Sequence, residues 1–369
     1  MIEKLVRKGV AEIPRYAPGR SREEVAMEYG LKLDRVVKLA SNENPFGPPP
    51  EAIEEIRKHA DKVNLYPDAE TALLRRELSR YLALEPENIV VGNGSDEVME
   101  LAVKAFLEEG DEAIMPTPTF SLYASLVKLY SGKAVRYPLG KDFEYDVDSL
   151  LRRITSRTKL VFLCSPNNPT GSVIATPDLK RVLEKEVLVI LDEAYVEFAG
   201  ESKVALVKQY ENLLVLRTFS KAFGLAGLRI GYGVACSKII DYLMRVKPPF
   251  NVSLLAQRAA LGALRDKKHL EQTIAGTLAG REFLAEELSK VPGVRVFPSQ
   301  ANFLLVEVNH GISAAEIAKE LFRRGIIVRS CESFGLGDRY LRVSVGREEE
   351  NKRFLEAFRS LLSHRIHKK

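Results

Sequence analysis

The stretch Val187-Leu-Val-Ile-Leu-Asp192-Glu-Ala-Tyr195 decides the fold. Five apolar residues follow one another without the alternation of a half-exposed strand, so the segment is predicted to be a strand covered on both faces. An acid stands directly at its end. A carboxylate there must find a partner, because an unpaired buried charge is costly, so Asp192 either caps a following helix or holds a proton on a ring nitrogen. Glu193 should point to the opposite side and is the weaker candidate.

Working outward, the same pattern recurs. Asn88 to Val91, Glu112-Ala-Ile-Met115, Lys159 to Cys164 and Leu213 to Leu216 all read as strands, and Ser95 to Glu108 reads as a helix with Val98, Leu101, Ala102, Ala105 and Phe106 on one face. Strands alternating with helices over residues 85 to 235 predict an α/β domain with a largely parallel sheet. The doubled proline in Arg245-Val-Lys-Pro-Pro-Phe-Asn251 breaks the chain before a second, smaller α+β domain. There, helical segments from Ser253 to Lys290 precede strands at Val294 to Phe297, Asn302 to Val308, Ile326 to Arg329 and Tyr340 to Val345. A helix over Ser313 to Arg324 lies among them, and a closing helix carries Phe354, Leu355, Phe358, Leu361 and Leu362. The expected division is residues 1–35 as an arm and part of the small domain, 36–255 as the large domain and 256–369 as the small one. Ser41 to Pro50 is too rich in proline for an element and is read as a loop.

Composition narrows the function. The 369 residues are 46% hydrophobic and 28% charged, with 55 Lys and Arg against 50 Asp and Glu for a net charge of +5, and the mean hydropathy is −0.11. This is an ordinary globular composition, which excludes disorder, and the charge is too mild and too dispersed for nucleic acid. The apolar runs fall far short of the roughly 20 residues of a membrane helix. No apolar signal core follows Met1, and Cys164, Cys236 and Cys331 are widely spaced, so a reduced, cytoplasmic chain is expected. The same three cysteines and five scattered histidines offer no metal-ligand spacing.

Polar residues gather just after the strands, at the edge where open α/β sheets bind ligands. Gly92-Asn-Gly94-Ser95-Asp96-Glu97 opens a helix; it is either an anion site on free N–H groups or a plain N-cap by Ser95. Glu97 stands where a dinucleotide fingerprint wants a third small residue, so that reading fails. Cys164-Ser-Pro-Asn-Asn168-Pro fixes a turn carrying two amides. In Arg217-Thr218-Phe-Ser220-Lys221-Ala-Phe-Gly-Leu-Ala-Gly-Leu-Arg229 a lysine sits among apolar residues and a second cation. Both lower an amine's proton affinity and leave a nucleophile.

Together these segments resemble the aspartate-aminotransferase superfamily of fold-type I pyridoxal-phosphate enzymes, above all through Ser-x-Lys followed eight residues later by Arg. The resemblance implies a large domain with a mostly parallel seven-stranded sheet between helices. It implies pyridoxal 5'-phosphate as cofactor, with Lys221 as the Schiff-base lysine and proton carrier and Asp192 as the pyridinium partner. Asn168 and Tyr195 would be donors to the phenolic oxygen. Gly94, Ser95, Asp96, Thr218, Ser220 and Arg229 would form the phosphate cup, and Tyr123, with Phe120 as its rival, would stack on the ring. Tyr66, in Asn64-Leu-Tyr-Pro-Asp, resembles the tyrosine that reaches the neighbouring subunit's cofactor, which implies a homodimer.

Within that superfamily the chain resembles the histidinol-phosphate aminotransferases. The marks are Tyr16-Ala-Pro-Gly, Leu39-Ala-Ser-Asn-Glu-Asn-Pro-Phe-Gly-Pro48, Gly325-Ile-Ile-Val-Arg329 and Leu341-Arg-Val-Ser-Val-Gly346, besides those already quoted. This implies transfer of an amino group between histidinol phosphate and 2-oxoglutarate, giving imidazole-acetol phosphate and glutamate, in histidine biosynthesis. Arg329 and Arg342 would hold the substrate phosphate, since a guanidinium suits either anion. Tyr16 and Asn44 would be lid and pocket groups, or parts of an arm with no substrate role. An aromatic aminotransferase and a threonine-phosphate decarboxylase share this framework. A ligand-binding module without catalysis would have no need of Lys221.

Overall fold

The computed structural model describes residues 1–15 and 18–366; Tyr16 lies outside the described residues. Its strands are β1 (Val37–Lys38), β2 (Ile89–Gly92), β3 (Glu112–Thr117), β4 (Lys133–Pro138), β5 (Thr158–Cys164), β6 (Leu188–Asp192), β7 (Leu213–Thr218), β8 (Gly231–Val234), β9 (Val294–Val296), β10 (Phe303–Val308), β11 (Ile326–Ile327), β12 (Arg329–Ser330) and β13 (Tyr340–Ser344). Seven of them form one sheet in the order β2-β8-β7-β6-β5-β3-β4. β8 is antiparallel to both its neighbours, and the other described pairings in this sheet are parallel.

Why the apolar runs become central strands is visible in their side chains. Val161, Leu163, Val189, Leu191, Leu213 and Val215 enter one core, together with Leu74, Leu78, Leu179 and Ala259 from helices on that side. The alternate residues Leu160, Phe162, Leu188, Ile190, Leu214 and Leu216 enter another, with Val98, Leu101 and Leu243 from helices on the opposite side. With a strand period of two, a run must be apolar throughout to satisfy both layers. At about 25 cal/mol per Å² of apolar surface removed from water, this double burial dominates the stabilisation of the sheet.

Two strands of this large sheet were not legible in the sequence. β4 is the sheet's edge, and Lys133-Ala-Val-Arg-Tyr-Pro138 is largely exposed, as an edge strand can be. β8 is Gly231-Tyr-Gly-Val234, whose glycines permit close backbone approach: a Cβ on Gly231 would lie 2.4 Å from the Ser95 amide nitrogen.

A four-stranded antiparallel sheet, β12-β13-β10-β9, carries the C-terminal unit. The closing helix Glu348–Ile366 packs Phe354, Leu355, Phe358, Leu361 and Leu362 into its core. The expected single strand over Ile326 to Arg329 is instead two pairs in different sheets, because β11 joins β1 while β12 joins β13. Through β1 the chain at Val37–Lys38 belongs to the C-terminal unit. The helix Leu254–Arg265 packs its Ala256, Ala259, Ala260 and Leu261 into the large core. We therefore propose domain divisions after Ala40 and after Arg265, in place of those after residues 35 and 255.

Candidate functional site

Strands β2, β5, β6 and β7 end at one edge of the large sheet, and the residues just beyond them line a cavity of about 180 Å³ closed on its other side by the C-terminal unit. Ser95, Asp96, Asn168, Asp192, Tyr195, Thr218, Ser220, Lys221 and Arg229 all line it, with Arg329 and Arg342 opposite.

Strand parity decides which acid enters. Asp192 follows Leu188 and Ile190 onto one face of the sheet, and its Oδ2 accepts a 2.8 Å hydrogen bond from Tyr123 while Oδ1 accepts from the Ala194 amide at 3.0 Å. Burial pushes its carboxyl up to about 6, against the pull of those two donors. Glu193 leaves on the other face, where Ser202, the Lys203 amide and the Arg217 guanidinium hold it.

Lys221 lies in the connection between β7 and β8, and its Nζ donates to the Ser41 carbonyl at 3.3 Å. It sits 5.5 Å from the centre of the Tyr195 ring. Burial, then the Arg342 charge, lowers its pKa to about 8. A neutral amine is thus accessible near neutrality, which is what nucleophilic and base chemistry requires.

One end of the cavity suits an anion. The helix Ser95–Phe106 begins there, with Gly94 rather than Ser95 as its N-cap, at φ 86° and with no side-chain cap. Its first N–H groups are accordingly left for a ligand. Arg229, itself in the left-handed region at φ 51°, reaches Ser220 Oγ at 3.4 Å and Asp96 Oδ2 at 3.2 Å, and Thr218 Oγ1 accepts from the Ser220 amide. A Cβ on Gly94 would fall 2.9 Å from Arg229 Nη2, so the cup needs glycine twice over, for its backbone and for its space.

The opposite wall is cationic. Register pairs Arg329 directly with Arg342 across β12 and β13. Like charges placed opposite one another are unfavourable unless an anion joins them. Arg342 donates to Asn168 Oδ1 and to the Ala40 carbonyl, each at 2.5 Å, and Phe334 lies 5.9 Å from the Arg329 guanidinium and 5.5 Å from that of Arg342.

Two residues expected to line this cavity, Tyr123 and Asn44, do not, and Tyr66, expected at a neighbouring subunit's cofactor, is not on its wall. Tyr123 is fully buried, stacked on Phe162 at 5.0 Å with its hydroxyl on Asp192, so it cannot stack on a ligand in the cavity; Phe120, in the loop just before that helix, lines the cavity instead. Asn44 has both ends of its amide engaged, donating to the Ala222 carbonyl and accepting from the Phe46 amide, and the cavity is lined by Asn42 and Ser41 in its place. Tyr66 is 82% exposed, away from the cavity wall, and stacks on Phe250 at 4.5 Å. Asn42, Gly19, Ser41 and Phe334 were missed in the sequence. Gly19, Ser41 and Asn42 had a signal, as members of Tyr16-Ala-Pro-Gly19 and Ser41-Asn-Glu-Asn44, while Phe334 had none.

Among the described residues no cluster of metal-ligating side chains occurs, and no helix is long and apolar enough to cross a membrane.

The chain is similar to known proteins over nearly its whole length. It is 46% identical to the histidinol-phosphate aminotransferase of Methanocaldococcus jannaschii, over 98% of this chain and 99% of that one. The structure of histidinol-phosphate aminotransferase from Sinorhizobium meliloti in complex with pyridoxal-5'-phosphate superposes with a TM-score of 0.86 at 26% identity, covering 97% of this chain and 98% of that one. That of the Clostridium acetobutylicum histidinol-phosphate aminotransferase gives 0.84 at 29% identity, covering 89% and 100%. The model of aminotransferase class I and II matches residues 34–358. The chain belongs to the class I and II aminotransferases.

Proposed function

We propose that this chain transfers an amino group between histidinol phosphate and 2-oxoglutarate with pyridoxal 5'-phosphate as cofactor. The observation that carries the reading is the pair Lys221 and Asp192, an amine with depressed and a carboxyl with raised proton affinity in one cavity.

The residues fit the cofactor. The glycine-lined helix start with Thr218, Ser220 and Arg229 suits its phosphate, and Asp192 its ring nitrogen. Tyr195 and Asn168 suit its phenolic oxygen, Phe120 its flat face and Lys221 its aldehyde. When bound, pyridoxal phosphate supplies an aldehyde that exchanges amines and a ring that takes up the electron pair left on the substrate carbon.

The chain does the rest. Asp192, an anion above pH about 6, would hold a proton on the ring nitrogen. Lys221 Nζ would be the base that takes the proton from the substrate's amine-bearing carbon. Arg329 and Arg342 clamp the substrate's phosphate, and the same two guanidiniums accept the carboxylate of glutamate or 2-oxoglutarate in the second half of the cycle. Asn168, fixed by Arg342, links that clamp to the cofactor side of the cavity.

In this reading the enzyme works in the cytoplasm as a homodimer. The exposed Tyr66–Phe250 pair supports that, as an aromatic surface for Tyr66 to present to the partner's cavity. The test is a donor panel with 2-oxoglutarate as acceptor. Glutamate should form fastest from histidinol phosphate; faster formation from phenylalanine or tyrosine, or carbon dioxide from phosphothreonine, would replace this substrate with the corresponding one.

A further inference from the structure

Asn42 sits where the C-terminal unit meets the large domain, 1% exposed and in the left-handed region at φ 54°. Its surroundings fix which way its amide points. The Asn42 backbone N–H donates to Ser344 Oγ at 2.9 Å, so the Ser344 hydroxyl has its own proton to give, and it gives it to Asn42 Oδ1 at 2.8 Å. The oxygen end being thus spoken for, the Nδ2 end faces Tyr195 Oη at 3.0 Å. Asn302 Nδ2 anchors the Asn42 carbonyl at 3.1 Å, so the loop cannot turn to present another group.

An amide NH₂ donates and cannot accept. Tyr195 Oη therefore accepts a hydrogen bond from Asn42 and must spend its own O–H on something else, and the cavity it lines is the direction left to it. We propose that Asn42, oriented by Ser344, is the positioning residue that compels Tyr195 to act as a hydrogen-bond donor to an anionic oxygen in the cavity. The inference rests on the reading of Tyr195 as a donor to the cofactor's phenolic oxygen, and it assigns the polarity of that contact to the C-terminal unit.

Asn42→Asp tests it. Asp keeps the shape and tolerates a positive φ, but a carboxylate accepts, so it would take the Tyr195 proton away from the cavity. Losing a donor at the phenolic oxygen disfavours the more anionic state there, so the pH midpoint of the visible band of pyridoxal-phosphate-loaded protein should rise by about one unit or more. Tyr195→Phe should do the same, and Asn42→Asp in the Tyr195→Phe background should add nothing. Ser344→Ala, which frees the amide to flip without adding charge, should give a smaller rise that likewise vanishes in that background. It serves where Asn42→Asp does not fold. Wild-type midpoints in both variants would overturn the proposal. So would a full Asn42→Asp shift that persists without Tyr195, since the added charge alone would then be responsible. A wild-type protein that forms no visible band would overturn the reading of Lys221 itself, a distinguishable failure.

Discussion

Asp192 and Glu193 are neighbours, both buried, both at the end of the same strand, yet they lead different lives. On the reverse side of the sheet, Glu193 and Glu197 close on Arg217 at 3.3 Å and 2.7 Å, and Ser202 and the Lys203 amide donate to Glu193 as well. On the cavity side, Asp192 has only neutral partners and Lys221 has no carboxylate within ion-pair distance among the described contacts. On the reverse side two carboxylates share one guanidinium, whereas Asp192 and Lys221 are left, among the described residues, without an ion-pair partner for a ligand to complete. Residue type separates neither acid from the other; parity along β6 does.

Removing each cation should break the comparison most visibly. Lys221→Ala should abolish turnover while the chain stays folded and still takes up pyridoxal phosphate without a covalent bond. Arg217→Met should leave turnover per folded molecule near wild type but destabilise by roughly 3–5 kcal/mol, since two buried carboxylates lose their counter-ion. Chemical denaturation alongside steady-state rates separates the two outcomes.

Asp192→Asn should lower turnover by about 10²–10³, the loss typical of one electrostatic partner at a reacting centre. Its effect on stability runs the other way. The folded-state pKa of about 6 lies above the ordinary 3.8, so the folded protein holds more protons than the unfolded chain between these values. Burial of the charge therefore costs stability progressively from about pH 4 to 6 and by a constant amount above. The difference, about 2 units, corresponds to at most ~3 kcal/mol. The cofactor-free variant should be more stable than wild type at pH 7, and the two should converge toward pH 4. Tyr123 can reverse its hydroxyl to accept from the new amide, which keeps the packing intact.

The smallest effect sharpens the contrast through pH alone. Lys221 must be neutral to attack, so the rate of cofactor uptake should rise about tenfold per pH unit below 8 and level off above it. A rate that keeps rising tenfold per unit beyond pH 8 toward the ordinary 10.5 would mean that burial and Arg342 do not perturb the amine.

The cavity's cofactor half was legible because each of its groups follows directly on a strand that announces itself. Asp192 after Val187 to Leu191 and Lys221 after Leu213 to Leu216 needed only the period of a strand and the rule that ligands bind at strand ends. Tyr123 turns its ring into the core while Phe120 lines the cavity because the helix begins only at Leu122, so Phe120 stands in the loop before it, where no helical period sets its direction. Asn42 was missed for another reason. Its partners Tyr195, Asn302 and Ser344 are 153, 260 and 302 residues away, and such contacts exist only once two separate sheets have been brought together. Arg329 and Arg342 lie in a strand pair whose register no local pattern sets.

The measurement closest to the central claim is the visible spectrum of pyridoxal-phosphate-loaded protein before and after histidinol phosphate, with no acceptor present. A visible band that Lys221→Ala lacks, and that histidinol phosphate discharges in the wild type, is the expected result. A band that persists on adding histidinol phosphate, while phenylalanine, tyrosine or phosphothreonine discharges it, would contradict the substrate assignment.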